Sequence, residues 1–160
     1  MYKIGEKVVY PVHGVGTVEA IEKKLILGKK EEYYVIRMVS NDMKVMIPVK
    51  NEKSTGIRSI TGKNGIKKIL GILKDSGGEL ERDWKLRYEN NFNKVKSGNI
   101  ADVAEVVRDL FQRGSGQELS TMERRLYENA YNLVAYEVAS SKEVDIETAN
   151  NIVSEALSES

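Results

Sequence analysis

The sequence has no cysteine, and it has one tryptophan, one histidine and two prolines in 160 residues. The absence of cysteine excludes disulfides, thiolate metal sites and cysteine nucleophiles. No apolar run approaches the ~20 residues needed to cross a bilayer. Residues 1–7 also lack the apolar stretch of a secretion signal. We therefore expect a cytoplasmic protein that does not bind a membrane.

The net charge of +1 conceals two halves of opposite sign. Residues 1–75 hold 15 Lys and Arg against 8 Asp and Glu, whereas residues 76–160 hold 10 against 16. A domain that binds DNA mainly through its charge is usually strongly basic. Any contact with DNA is therefore expected to be local and modest, or assisted by a partner.

Residues suited to catalysis are scarce. The only histidine, His13, lies in the segment Pro11-Val12-His13-Gly14, which is more typical of a turn than of a general base. The nearby glycines lack the spacing of a dinucleotide fingerprint, and the lysines near residue 65 lack the order of a phosphate loop. Acidic residues occur singly, as on solvated helix faces. These features predict a protein that is not an enzyme and has no cofactor or metal.

The hydrophobic periodicity changes near residue 60. Before that point, segments rich in Val, Ile, Thr and Tyr predict short strands at residues 7–10, 16–27, 31–39 and 43–49. After it, the spacing is helical and predicts five helices, which begin near residues 66, 81, 100, 120 and 145. The predicted fold class is α+β: a small Tudor/SH3-like β-barrel followed by an all-α domain.

Trp84 stands at the start of a predicted helix, beside Lys85 and Arg87. An exposed tryptophan can lie against an unstacked base while neighbouring cations meet the phosphates. A second interpretation is open, because four apolar residues share the spacing of a stripe that faces a core. These are Trp84, Tyr88, Phe92 and Val95. On composition alone, burial of Trp84 is favoured over the wedge.

Several segments in a fixed order carry a resemblance to a known family. They are residues 5–16, 33–36 and 47–49 in the first part, and residues 83–88, 94–98, 104–110 and 119–126 in the second. Together they resemble the CarD/CdnL family of bacterial transcription regulators, over essentially residues 1–157. The specificity lies in the order of the segments across two modules.

The resemblance implies a non-enzymatic regulator of transcription initiation. Residues 1–60 would form a Tudor-like domain that binds the β subunit of RNA polymerase. Residues 61–78 would be a helical connector and linker, and residues 79–160 a helical domain that contacts promoter DNA. In the family, a tryptophan matched by Trp84 enters the minor groove at the upstream edge of the bubble and hinders its closure. Tethering through the first domain would let weak DNA contacts suffice.

The resemblance also assigns site residues by position. DNA contacts are expected at Trp84, Lys85, Arg87, Lys94, Arg124 and Arg125, and polymerase contacts at Lys24 and Met46. Arg87 lies one turn after Trp84, so we expect the two to share a face and Arg87 to meet a phosphate. Two residues depart from the family pattern: Met46 where relatives can carry arginine, and Glu89 where they can carry lysine.

Two other functions compete with this hypothesis. A polymerase-docking module, like that of transcription-repair coupling translocases, would share the barrel but not the helical domain. A protein–protein adaptor would hold Trp84 in its core and would not contact DNA. The preferred hypothesis is a monomer, associated with the nucleoid through RNA polymerase, that stabilises the open promoter complex.

Overall fold

The computed structural model describes residues 1–159, which form two compact units. The first unit, Met1–Ile60, is built on one antiparallel sheet, and the second, from Thr61 onward, is helical. The predicted α+β class is therefore confirmed. Within the described residues, none of the helices combines the length and the apolar character needed to span a membrane.

Five strands form the sheet of the first unit. They are β1 (Lys7–Tyr10), β2 (Gly14–Ile26), β3 (Lys29–Met38), β4 (Lys44–Pro48) and β5 (Arg58–Ser59), in the spatial order β4-β3-β2-β1-β5. The two edge strands, β4 and β5, are not hydrogen-bonded to each other, so the sheet does not close into the expected barrel. A single turn of 3-10 helix, Val49–Asn51, follows β4.

The β2–β3 hairpin turns at Leu27 and Gly28. Both have positive φ, 51° and 79°, as a two-residue hairpin turn of the primed type requires. This turn sets a register in which Lys24 lies opposite Glu31. Strand alternation then separates two faces. One face packs into the core of the unit, which includes Val8, Val18, Tyr34, Ile36 and Ile47, and the other is largely exposed.

The second unit has five helices. They are α1 (Lys63–Lys74), α2 (Trp84–Lys96), α3 (Ile100–Gly116), α4 (Thr121–Lys142) and α5 (Ile146–Ser158). The predicted caps Asn99, Ser120 and Asp145 each accept a hydrogen bond from a backbone N–H of the first turn. Asp83 caps α2 in the same way, so that helix begins at Trp84 rather than at residue 81.

All five helices contribute to one apolar core in the second unit. α4 supplies six of its buried side chains, and α3 supplies five, namely Val103, Ala104, Val106, Val107 and Leu110. α1 is part of this core through Ile66, Ile69 and Leu73. α2 adds only Val95 as a buried apolar side chain. The face that α2 packs against the other helices is therefore mainly polar.

Candidate nucleic-acid interface and docking face

Trp84 is the first residue of α2 and is 43% exposed. The carboxylate of Asp83 accepts the N–H of Lys85 and fixes the start of the helix beside the indole. The Lys85 ammonium lies 6.0 Å from the centroid of the indole ring, at the outer limit of a cation–π contact. Burial of Trp84 in a core, favoured on composition alone, was wrong: the ring is available to a partner.

The apolar stripe predicted for α2 faces mainly outward. Tyr88 stacks on Phe92 with ring centroids 6.0 Å apart, and Phe92 is 44% exposed. Of the four stripe residues, only Val95 is buried. The side that α2 turns inward instead carries Arg87, Asn91 and Val95, which are also one helical turn apart. The spacing of the stripe was correct for a helix face, but the buried face is a different one.

Arg87 is 4% exposed, and its guanidinium is held on two sides. Its Nε and NH2 groups donate to Oε1 of Glu123 at 3.0 and 2.5 Å. Its NH1 group donates to the carbonyl oxygen of Glu81 at 2.7 Å. The guanidinium therefore joins the segment that leads into α2 to the first turn of α4.

Glu123 is the carboxylate partner and is 1% exposed. Its backbone N–H donates to the Ser120 hydroxyl at 3.1 Å, which is the predicted cap of α4. Its second oxygen, Oε2, lies 4.0 Å from Nε of Arg113 on α3, and neither atom has a hydrogen-bond partner among the described residues. One carboxylate thus lies among cations from two other helices. Sequence reasoning saw only the capping motif, because nothing in the pattern marks a buried ion pair.

The expected phosphate contact of Arg87 stays a prediction that this geometry does not favour. A guanidinium bound to a buried carboxylate and a backbone carbonyl has few donors left for a phosphate. Releasing it would leave Glu123 charged and buried, at a cost of several kcal/mol. Trp84 and Arg87 also do not share an exposed face, as one is open to solvent and the other is not.

The other predicted DNA contacts are more accessible. Lys85, Arg124 and Arg125 are exposed, and Arg124 has only a loose ion pair, 3.9 Å, with the exposed Glu118. Arg124 and Arg125 directly follow the buried Glu123. Lys94 is instead paired with Glu105 on α3, at 2.9 Å. Of the four predicted residues other than Trp84 and Arg87, three are therefore free to approach a phosphate with little loss, and Lys94 is not.

The two predicted polymerase contacts lie side by side on the exposed face of the sheet. Nζ of Lys24 in β2 is 3.4 Å from Sδ of Met46 in β4, which is 39% exposed. Three other cations of the first unit are paired with carboxylates: Arg37 and Lys44 with Glu19, and Lys50 with Glu31.

These pairs shift the titration of their members. The hydrogen bond from Arg37 holds the pKa of Glu19 below its ordinary value. The hydrogen bond that Lys50 donates to Glu31 raises the pKa of Lys50. By contrast, the ammonium of Lys24 contacts a thioether and not a carboxylate. Lys24 and Met46 thus offer a cation beside an apolar surface.

The only histidine and the acidic side chains do not form a metal-ligand cluster in the described residues. His13 lies in a turn against Tyr10, with ring centroids 4.6 Å apart. Within residues 1–159, no three His, Cys, Asp or Glu side chains come together as metal ligands.

Both units of the chain match known protein families. Residues 2–61 match the CarD-like/TRCF RID domain family, and residues 68–154 match the C-terminal domain family of CarD. A protein of Bacillus subtilis (strain 168), named "Putative transcription factor YdeB", is 41% identical over 138 residues. The match covers 86% of this chain and 90% of that protein. The chain belongs to the CarD/CdnL family. It is therefore a member of a family of transcription regulators, a family not known for enzymes.

Two solved CarD/CdnL domains resemble the first unit in sequence. The solution structure of the 72-residue N-terminal domain of Myxococcus xanthus CarD is 32% identical and covers 37% of this chain and 79% of its own, with a TM-score of 0.33. The N-terminal domain of CdnL from the same organism is 40% identical and covers 39% and 89%, with a TM-score of 0.35.

Proposed function

We propose that this CarD/CdnL protein binds the β subunit of RNA polymerase through residues 1–60 and promoter DNA through its helical unit. In this proposal, Trp84 enters the minor groove at the upstream edge of the bubble and slows its closure, so that the open complex lasts longer. The match of residues 2–61 to the CarD-like/TRCF RID family supports a polymerase partner. The exposure of Trp84 carries the DNA contact.

A tryptophan that is 43% exposed at the end of a helix adds less to the core than a buried one. Its position at the N-terminus of α2 suits an anionic partner, because the positive end of the helix dipole lies there. Lys85 adds a full charge beside the ring. A flat apolar group flanked by positive charge matches an unstacked base step and its phosphates.

The accessible cations define the rest of the proposed DNA surface. Lys85, Arg124 and Arg125 are exposed and are proposed to contact phosphates. Lys94 is a weaker candidate, because its ammonium is already paired with Glu105. Glu89 is exposed on the same helix and would repel phosphate, which limits the surface to the first turn of α2. With so few cations, binding requires the local concentration that polymerase tethering provides.

A substitution of Trp84 tests the DNA contact directly. Trp84→Ala should shorten the lifetime of the open complex on a linear promoter fragment, and a loss of ~1.4 kcal/mol would be a tenfold shift. Phe92→Ala is the matched control, because Phe92 is equally exposed on the same helix but two turns further on. Equal lifetimes for wild type and Trp84→Ala would refute the wedge. The adaptor alternative predicts that result, together with no change in Trp84 fluorescence on adding promoter DNA.

A pair of adjacent lysines tests the docking face. Lys24 and Lys23 are consecutive in β2 and therefore point to opposite faces of the sheet. Lys24→Glu should weaken binding to RNA polymerase, because it places a negative charge beside Met46, whereas Lys23→Glu should bind as wild type does. Equal losses for the two variants would indicate a general charge effect and not a docking contact at Lys24.

A further inference from the structure

The proposed DNA surface comes from two helices that are far apart in sequence. Trp84 and Lys85 begin α2, while Arg124 and Arg125 lie in the first turns of α4. A wedge and its phosphate contacts act on the same few base pairs, so their relative position matters. Between these two helix starts lies the buried ion pair of Arg87 and Glu123.

We propose that Arg87 and Glu123 form a positioning pair that fixes Trp84 relative to Arg124 and Arg125, without touching DNA themselves. This inference rests on the proposed function, since it concerns the same DNA surface. It gives Arg87 a role different from the phosphate contact that the family resemblance implies.

Besides its bonds to Glu123, Arg87 contacts the start of α2. Its backbone N–H donates to the carbonyl oxygen of Asp83, at 2.9 Å, which closes the first turn over Trp84. Its side chain holds the carbonyl oxygen of Glu81 just before that turn. The guanidinium therefore ties down the segment that leads directly into Trp84, while the backbone of the same residue closes the turn that follows it. A change in that guanidinium would be felt first at Trp84.

The contacts of Glu123 have the same effect on α4. Its backbone N–H is bound to the Ser120 cap, and its carboxylate points inward to Arg87. The next two residues, Arg124 and Arg125, point outward. With Glu123 turned inward, the helical repeat therefore turns the two arginines outward.

Directional bonds explain why charge is used here in place of apolar packing. Apolar burial stabilises without fixing an angle, whereas the planar guanidinium donates from fixed directions. Two donors of Arg87 meet one oxygen of Glu123 and a third meets the carbonyl of Glu81, which leaves little freedom of rotation. In some proteins a buried ion pair is retained for this kind of specificity.

A direct phosphate contact by Arg87 predicts the opposite response to a change at Glu123. If Arg87 met DNA, Glu123→Gln would free its charge and keep or strengthen DNA engagement. If Arg87 positions Trp84, the same substitution weakens the pair and lowers DNA engagement. The sign of the effect of Glu123→Gln therefore separates the two roles.

The experiment uses full-length Glu123→Gln and Arg87→Lys, with Glu105→Gln as the matched control. Glu105→Gln removes the partner of Lys94 and so also breaks an ion pair that joins α2 to α3, but near the other end of α2. Trp84 is the only tryptophan, so its time-resolved fluorescence anisotropy reports local motion in the free protein. Open-complex lifetime is then measured with RNA polymerase well below each variant's melting temperature, with Trp84→Ala alongside.

We expect a larger amplitude of fast Trp84 motion and a several-fold shorter lifetime for both Glu123→Gln and Arg87→Lys. Glu105→Gln, which leaves Lys94 without its partner, should show no larger Trp84 motion and no shorter lifetime. Unchanged Trp84 motion in Arg87→Lys and Glu123→Gln would overturn the proposal, as would a longer lifetime with Glu123→Gln. Should Glu123→Gln fail to fold, Arg87→Lys decides alone. A normal lifetime for Trp84→Ala would defeat the proposed function itself, whereas a normal lifetime for Glu123→Gln beside a short one for Trp84→Ala would defeat only the positioning pair.

Discussion

Helices α2 and α3 are neighbours in one core but are held there by different interactions. α3 buries five apolar side chains, whereas α2 buries Arg87, Asn91 and Val95. α3 has no exposed large aromatic side chain, while α2 exposes Trp84 and Phe92. α2 can therefore leave its aromatic side chains exposed, because polar residues and a single valine occupy its buried face where α3 has apolar residues.

This difference also separates the tasks of the two helices. Apolar burial on α3 contributes stability in proportion to area and tolerates small shifts. The ion pair on α2 contributes less net stability, because desolvation of both charges offsets much of their attraction. What it provides is a fixed orientation. We therefore expect substitutions in α3 to act on the fold and those in α2 to act on the fold and on Trp84.

Removal of one charge from the α2 pair should have the largest effect on stability. Arg87→Met leaves Glu123 buried without its closest partner and should cost about 3–5 kcal/mol in the free energy of unfolding. Replacing both residues, Arg87→Met with Glu123→Leu, should recover most of that loss, because no unpaired charge remains. Urea denaturation of the three proteins measures both effects. If Arg87→Met alone were as stable as the wild type, the ion pair would not be buried in solution.

A cavity in α3 should cost nearly as much but leave Trp84 unaffected. Leu110→Ala removes a fully buried side chain and should cost about 2–5 kcal/mol. Its melting temperature should fall while the emission maximum of Trp84 in the folded state is unchanged. A shift of that maximum before unfolding would contradict the separation of tasks between the two helices.

Removal of the N-cap of α2 and removal of the N-cap of α3 should destabilise the protein equally. Asp83 accepts the N–H of Lys85 in α2, and Asn99 accepts that of Ala101 in α3, at 3.0 and 2.9 Å. Removing either cap by alanine should cost about 1 kcal/mol. Only Asp83→Ala should also change the quenching of Trp84 by iodide, since that cap orders the turn that carries the indole. Identical quenching in Asp83→Ala and Asn99→Ala would mean that the start of α2 is held by other contacts.

The smallest effect on stability is expected for the exposed aromatic residues of α2. Trp84→Ala and Phe92→Ala should each change the free energy of unfolding by no more than about 1 kcal/mol, far below the cost of emptying a core position. Differential scanning calorimetry of the two variants and the wild type measures these changes in the free energy of unfolding. A loss of several kcal/mol for Trp84→Ala would place the indole in a core and weaken the proposed function.

Much of the fold could be predicted because it depends on local patterns. The strands followed from β-branched and aromatic runs between turn residues, and the helix starts at Asn99, Ser120 and Asp145 from capping side chains. Family membership followed from short segments in order. The closed barrel was not obtained, because closure depends on whether β4 and β5 meet, and no local pattern encodes that.

The sequence alone therefore determined the α+β class, the caps, the change of period near residue 60 and a helix that starts at the single tryptophan. It could not determine which face of α2 is buried, because hydrophobic spacing ranks Trp84, Tyr88 and Phe92 above Arg87 as core residues. Only the tertiary structure decided this. A charge 36 positions away in sequence, on Glu123, is brought within hydrogen-bond distance and makes burial of the guanidinium favourable. With Arg87 on the inside, Trp84 remains outside, where a partner can reach it.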